Sequence, residues 1–260
     1  MRGERGTEWR RFLRAVALLT RIPLPPVPFD PDWLPRSAKY LPLVGGLLGV
    51  VAASVLLGAR QLWPGPIPEL VALVTILLLT GALHEDGLAD TFDSFGGRTR
   101  EARLAIMKDS RLGTFGALAL GSILAAKLAT LAALPLSVAV LAWPAASAGG
   151  RFAAVVVMRA QRYAGDPAAA KLAASPGRPT NGEVAVAAAI ACLFALPLVL
   201  LAPARAVVAV LLGAALAAWL GWRACRGVGG HTGDVLGAVV SVGETGFLLG
   251  AAATLGWPVR

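Results

Sequence analysis

The chain is short of charge, of aromatic residues and of cysteine. Charged residues make up 15% of its 260 positions and aromatic residues 7%, and it has two cysteines and two histidines. Soluble domains carry about 25% charged residues, so an ordinary soluble enzyme and a disordered chain both fit poorly. Cys192 and Cys225 stand in or beside apolar runs, with no CxxC and no Cys/His cluster around them. That argues against a disulfide scaffold and a zinc site and leaves buried packing residues. There is no GxxxxGK[ST] P-loop, no H-E-x-x-H, no haem motif, no Ser/His/Asp arrangement and no internal repeat.

What the chain has in excess is hydrocarbon, at 57% hydrophobic residues and a mean hydropathy of +0.69. Domains run at roughly 100–200 residues, and the reading is a single membrane-embedded domain over 1–260 with an N-terminal segment over 1–40. The net charge of +9 suggests nucleic acid at first sight. A membrane protein gathers Lys and Arg on its cytoplasmic side without any such partner, so no nucleic acid is expected.

Crossing about 30 Å of hydrocarbon takes about 20 mostly apolar residues. Seven stretches qualify, at about 41–59, 66–83, 114–134, 137–158, 184–202, 204–222 and 236–257, the last interrupted by Glu244. Residues 1–40, 84–113, 159–183 and 223–235 together hold 19 Lys and Arg, against 3 in the alternate turns and the C-terminus. The positive-inside rule puts the N-terminus and those three loops in the cytoplasm. The expected fold is all-α: a polytopic integral membrane helix bundle of about seven transmembrane helices with a cytoplasmic N-terminus. Arg2, Arg5, Arg10, Arg11 and Arg14 surround a short amphipathic stretch with no small-residue cleavage site after it, so no secretory signal is expected. Residues 21–36 hold Pro23, Pro25, Pro26, Pro28, Pro31 and Pro35, and are expected to run extended along the membrane surface rather than as helix.

Six of the 15 carboxylates fall in 84–113, so chemistry is expected at the cytoplasmic face. In His84-Glu85-Asp86-Gly87-Leu88-Ala89-Asp90-Thr91-Phe92-Asp93, a helix puts Asp86, Asp90 and Asp93 on one face. Like charges so placed repel, and hard oxygen ligands at a membrane surface suit Mg²⁺ holding substrate phosphates. A solvated acidic helix end is the plainer alternative. His84 is a structural hydrogen bonder at a span end, or a ligand or proton carrier. Lys108-Asp109-Ser110-Arg111-Leu112-Gly113-Thr114-Phe115-Gly116 offers cations, hydroxyls and glycines at a helix start, a natural anion site, or simply a cap beside positive-inside residues. Gly229-Gly230-His231-Thr232-Gly233-Asp234 opens the last span on the same side, as a helix cap or as further site residues with Asp234 joining the acidic set. Arg151 and Glu244 lie within spans and are functional candidates facing the bundle interior, whereas Lys127 is expected to snorkel to the far end.

Taken in order, Leu19-Thr20-Arg21-Ile22-Pro23-Leu24-Pro25, the His84–Asp93 stretch, Ile106-Met107 with the Lys108–Gly116 stretch, Arg151, and Gly229–Ala238 resemble the adenosylcobinamide-GDP ribazoletransferase, or cobalamin synthase, family over nearly the whole length. The chain departs from that pattern at Ser241, where relatives carry an acidic residue, and around Tyr163 to Lys171. The resemblance implies a multi-pass inner-membrane enzyme, its active site facing the cytoplasm, that uses Mg²⁺ in the last assembly step of adenosylcobalamin. It would join adenosylcobinamide-GDP to α-ribazole, or its 5′-phosphate, and release GMP. Asp86, Asp90 and Asp93 would hold the metal, and Lys108 and Arg111 would clamp the phosphates. Glu85, Asp109 or Asp234 would serve as general base. Arg21, Ser110, Gly113, Thr114, Arg151, Gly230, Thr232 and Asp234 would contact substrate. The bilayer surrounds the chain, and a homo-oligomer stays open. The enzymatic rival is another Mg²⁺-dependent membrane transferase, such as a CDP-alcohol phosphotransferase or a polyprenyl transferase. The non-enzymatic rival is a transporter or channel, which usually sets charges near the midplane and repeats its halves.

Overall fold

A computed structural model describes residues 2–25, 32–165 and 177–254. Proline, glycine and hydroxyl residues set the helix limits. The first helix, α1 (Arg2–Leu19), is followed after the described break by a short α2 (Trp33–Ser37), a 3₁₀ turn (Ala38–Tyr40) and α3 (Leu41–Ala59). Then come α4 (Ile67–Thr80), α5 (Leu83–Ser94), α6 (Arg100–Met107), α7 (Thr114–Ala133), α8 (Leu136–Ala160), α9 (Asn181–Leu201), α10 (Pro203–Val228) and α11 (Gly233–Ala252). Prolines open α3, α4 and α10, where a missing N–H costs nothing. Thr180 and Glu183 form a capping box on α9. Gly229, left-handed at φ 80°, ends α10.

Among the described residues, six helices are long and apolar enough to cross a membrane, or seven if α4 and α5 form one broken span. The chain is thus a multi-pass helical membrane protein, with the spans within a few residues of their expected places. Two expectations need correcting. The second span is not continuous: Gly81 and Ala82 are both left-handed, at φ 65° and 56°, and α5 leaves α4 at 86°. Pro35 lies inside a helix, because α2 is a first turn and a first turn needs no N–H from proline. Three earlier readings fall partly outside the described residues: the rest of the proline segment (26–31), the loop beyond residue 165, and the end of the last span past residue 254.

The last helix, α11, is almost wholly buried and packs on α5, α7, α8 and α10. Small residues set the distances, as in many membrane bundles. A Cβ on Gly49 of α3 would stand 2.5 Å from Cα of Pro144 in α8, and one on Gly250 of α11 would stand 2.5 Å from Cα of Ala209 in α10. At the end away from the acidic cluster, Arg60 donates to the buried Glu69 at 2.8 Å and to the Leu131 carbonyl at 3.2 Å, which joins α3, α4 and α7. Because the neighbour of Gly250 is backbone rather than a mobile side chain, Gly250→Ala is expected to cost about 1–3 kcal/mol by overpacking. Thermal unfolding of the detergent-purified protein measures that loss.

Candidate active site

The α4–α5 break turns an acidic helix out of the span. Arg21 lies over the break: its backbone N–H donates to the Leu79 carbonyl at 2.8 Å, and its side chain fills the space a Cβ on Gly81 would need. Leu88 of α5 is fully buried in one cluster with Leu220 and Ala238. The opposite face carries Asp86, exposed, and Asp90, half-buried. Gly87 lets α5 meet the first turn of α11, where a Cβ would stand 2.8 Å from the Asp234 carbonyl oxygen. That approach brings Asp234 into the group, and Asp86, Asp234 and Asp93 all act on Asp90 as like charges. Neither the Asp86 nor the Asp90 carboxylate has a hydrogen bond or ion pair among the described residues, whereas that of Asp234 accepts from the Thr232 hydroxyl at 3.3 Å.

Asp93 is different. One of its carboxylate oxygens accepts from the Gly113 N–H at 2.7 Å and the other from the Gly116 N–H at 2.8 Å. The start of α7 is indeed an anion site, as its sequence suggests, but the anion it holds is this carboxylate. Side chains at positions 113 and 116 would run into the Asp93 carboxylate, which explains both glycines.

The other expected residues divide. Lys108, at the end of α6, is exposed and without an ion pair among the described residues. Arg111 grips Asp109, with Nε 3.0 Å from one carboxylate oxygen and Nη2 2.6 Å from the other. Those hydrogen bonds hold the Asp109 carboxyl below its ordinary range, so it is poorly suited to take a proton. Ser110 and Thr114 are exposed beside them. Thr232 caps α11 by accepting from the Val235 N–H at 3.2 Å, and Gly230, at φ 151°, sits where any side chain would strike the Arg162 carbonyl.

Glu85 and Arg151 lie inside the bundle rather than on the acidic face. Glu85 of α5 stands 3.7 Å from Lys127 of α7, and Lys127 stands 3.0 Å from Glu244 of α11. Glu244 also pairs with Arg151 of α8, which donates to the Ser147 carbonyl at 3.0 Å. Arg151 and Glu244 face inward as expected. Lys127 does not snorkel: it is buried, because two carboxylates hold it there.

Sequence reasoning missed three things at this end. Arg100 donates to the Val228 and Ala164 carbonyls at 2.8 and 3.1 Å, and Arg162 to the Gly229 carbonyl at 3.0 Å. These cations, counted only as positive-inside charge, neutralise the carbonyl end of α10. His231 is buried, with its N–H on the Arg162 carbonyl and its carbonyl on the Ala164 N–H, both at 2.8 Å. Burial, aided by Arg178, pushes its imidazole down to about 4, so it is neutral near pH 7. The signal available for His231 was the glycine pair before it, which marks a tight turn and not a side-chain role.

The fold and this site define a multi-pass helical membrane protein with unpaired carboxylates gathered at one end, where α7 and α11 begin and α10 ends. The chain belongs to the cobalamin-5-phosphate synthase family, whose sequence model matches residues 11–252. It is 39% identical over 260 residues to the adenosylcobinamide-GDP ribazoletransferase of Leptothrix cholodnii, covering 96% of this chain and 95% of that one. It is 42% identical to the protein of the same name from Rhizobium etli, covering 93% and 96%, and 39% identical to that of Klebsiella pneumoniae strain 342, covering 92% and 98%. No solved structure matches it. Kinship along the whole chain leaves the CDP-alcohol phosphotransferase and transporter readings without support.

The partners separate the aspartates by role. Asp93→Ala is expected to lower stability by about 1–2 kcal/mol, as loss of a helix cap does. Asp86→Asn and Asp90→Asn, which relieve repulsion and break no bond, leave the thermal midpoint unchanged or raise it. Parallel melting curves of the three variants test the contrast.

Proposed function

We propose that this chain is an adenosylcobinamide-GDP ribazoletransferase acting at the cytoplasmic face of the inner membrane. In that reaction a hydroxyl oxygen of α-ribazole, or of its 5′-phosphate, attacks the phosphorus borne by cobinamide. The bond from that phosphorus to the GMP oxygen breaks, GMP leaves with the electron pair, and the hydroxyl proton passes to a base. The observation that carries the reading is the pair of aspartates on α5, Asp86 and Asp90, without side-chain partners among the described residues and with Asp234 of α11 beside them, in a chain related to enzymes of that name over nearly its whole length.

These residues suit Mg²⁺ as the metal. Their donors are hard carboxylate oxygens, and Asp86 and Asp90 stand without a cationic partner among the described residues. No three acidic, His or Cys side chains among those residues close into a complete ligand set. Mg²⁺ commonly takes one or two carboxylates and fills its shell with waters and substrate phosphates. Asp86 and Asp90 would hold the ion, whose positive charge would offset the charge that builds up as GMP departs. The chain's own part is then positioning. Asp86 and Asp90 hold the metal, while Asp93 keeps the Lys108–Gly116 stretch against α5. Lys108, without a carboxylate partner among the described residues, meets the phosphates, and Arg111 joins it only on leaving Asp109. Of the three candidate bases, Glu85 is committed to Lys127 and Asp109 to Arg111, which leaves Asp234 to accept the ribazole proton.

The test is GMP release by the purified protein from adenosylcobinamide-GDP and α-ribazole, with and without Mg²⁺. Turnover is expected to need the metal. Asp90→Asn and Asp234→Asn are expected to lower kcat by about 10²-fold or more, the scale of losing one group that stabilises the transition state, while Asp109→Asn retains most of it. CMP or pyrophosphate release from other substrates, with no GMP from these, would overturn the reading.

A further inference from the structure

The α4–α5 break creates a mechanical difficulty. With Gly81 and Ala82 both left-handed, the helix of α4 does not run on into α5, so α4 does not dictate how α5 is rotated about its own axis. Yet the direction in which Asp86 and Asp90 point depends on that rotation. Asp93, bonded to the Gly113 and Gly116 N–H groups, fixes one end of α5 to the start of α7. Leu88 and Gly87 pack the middle of α5 against α11. The ion pair of Glu85 with Lys127, 3.7 Å long, adds a directional hold at the other end of α5, further along the same α7.

We propose that Glu85 and Lys127 are positioning residues, braced by Glu244 and Arg151, that lock the rotation of α5 and so aim Asp86 and Asp90 at the substrate. The inference rests on the reading of those aspartates as the metal site. Lys127 stands 3.0 Å from Glu244, which in turn pairs with Arg151, so the group joins α5, α7, α8 and α11. Two acids face two bases and the set is neutral, as burial among spanning helices requires. The cavity that touches all four side chains, with Thr80 and His84, measures about 20 Å³, large enough for one water and far too small for either substrate. The network therefore acts on the helix and not on a ligand.

The experiment compares Mn²⁺ binding, read by its EPR signal, in the detergent-purified wild type and in three variants. Glu85→Gln with Lys127→Met together removes the tie, keeps the net charge and leaves the Glu244–Arg151 pair. Glu85→Gln alone keeps Lys127 paired with Glu244 and serves if the double variant does not fold. Lys127→Arg preserves the pair with a different cation. Both tie-breaking proteins are expected to bind Mn²⁺ at least about tenfold more weakly, the scale seen when a partner behind a metal ligand is lost. The KM for adenosylcobinamide-GDP should rise, the thermal midpoint of the charge-neutral double variant should stay near that of the wild type while Glu85→Gln alone lowers it, and Lys127→Arg should recover most of the affinity. Wild-type Mn²⁺ affinity in the folded double variant, or in Glu85→Gln, overturns the proposal while leaving the metal site standing. A wild type that turns over yet binds no Mn²⁺ overturns the metal reading and this inference with it.

Discussion

A single buried charge among spanning helices costs several kcal/mol, and in this bundle four of them meet in one network. Glu85, Lys127, Arg151 and Glu244 come from four different helices, and only one arrangement of α5, α7, α8 and α11 lets them cancel. Apolar faces do not select an arrangement so sharply, because lipid tails satisfy Leu and Val as well as another helix does. The small residues then allow what the charges demand. Gly150 is an example: a Cβ there would stand 2.9 Å from Cγ of Glu244, so glycine leaves room for the side chain that Lys127 and Arg151 share.

The same constraint accounts for the broken second span. A run of 14 residues, as in α4, rises about 21 Å at 1.5 Å per residue, which is short of a bilayer core. Two successive left-handed residues swing α5 through 86°, so that Leu88 and Glu85 turn inward while the unpaired aspartates turn out. A left-handed alanine is unfavourable by about 1–2 kcal/mol, and Ala82 is held there by the packing on either side of it. The apolar and acidic halves of this segment make opposite demands, and the bend satisfies both.

Much of this was legible in the sequence because it depends on length and period alone. Apolar runs of about 20 residues located α3 and α7 to α11, and the 3.6-residue period placed Asp86, Asp90 and Asp93 on one side of a helix. The break at Gly81 and Ala82 was not legible, since Leu83 continues the apolar pattern past it and alanine gives no warning of a positive φ. Nor was the fate of Lys127. A lysine within a span reads as reaching for the nearer surface, and only the rotations of α5 and α11 reveal two carboxylates waiting for it. Arg100 and Arg162 were visible as charge, but the carbonyls they neutralise belong to a helix more than sixty residues further along the chain.

Asp93 shows most clearly where periodicity stops being informative. Sharing a helix face made it equivalent to Asp86 and Asp90 on paper, and the glycine-rich start of α7 read separately as a place for a phosphate. In the fold these two readings consume each other, because the negative charge bound at the start of α7 is Asp93 itself. On the proposed reading, a substrate phosphate is met beside that helix start and not on it. Asp93 is in this sense what joins the acidic segment to the basic one. By binding two backbone N–H groups, it ties the helix that carries Asp86 and Asp90 to the stretch that carries the cations, and neither segment specifies that junction alone.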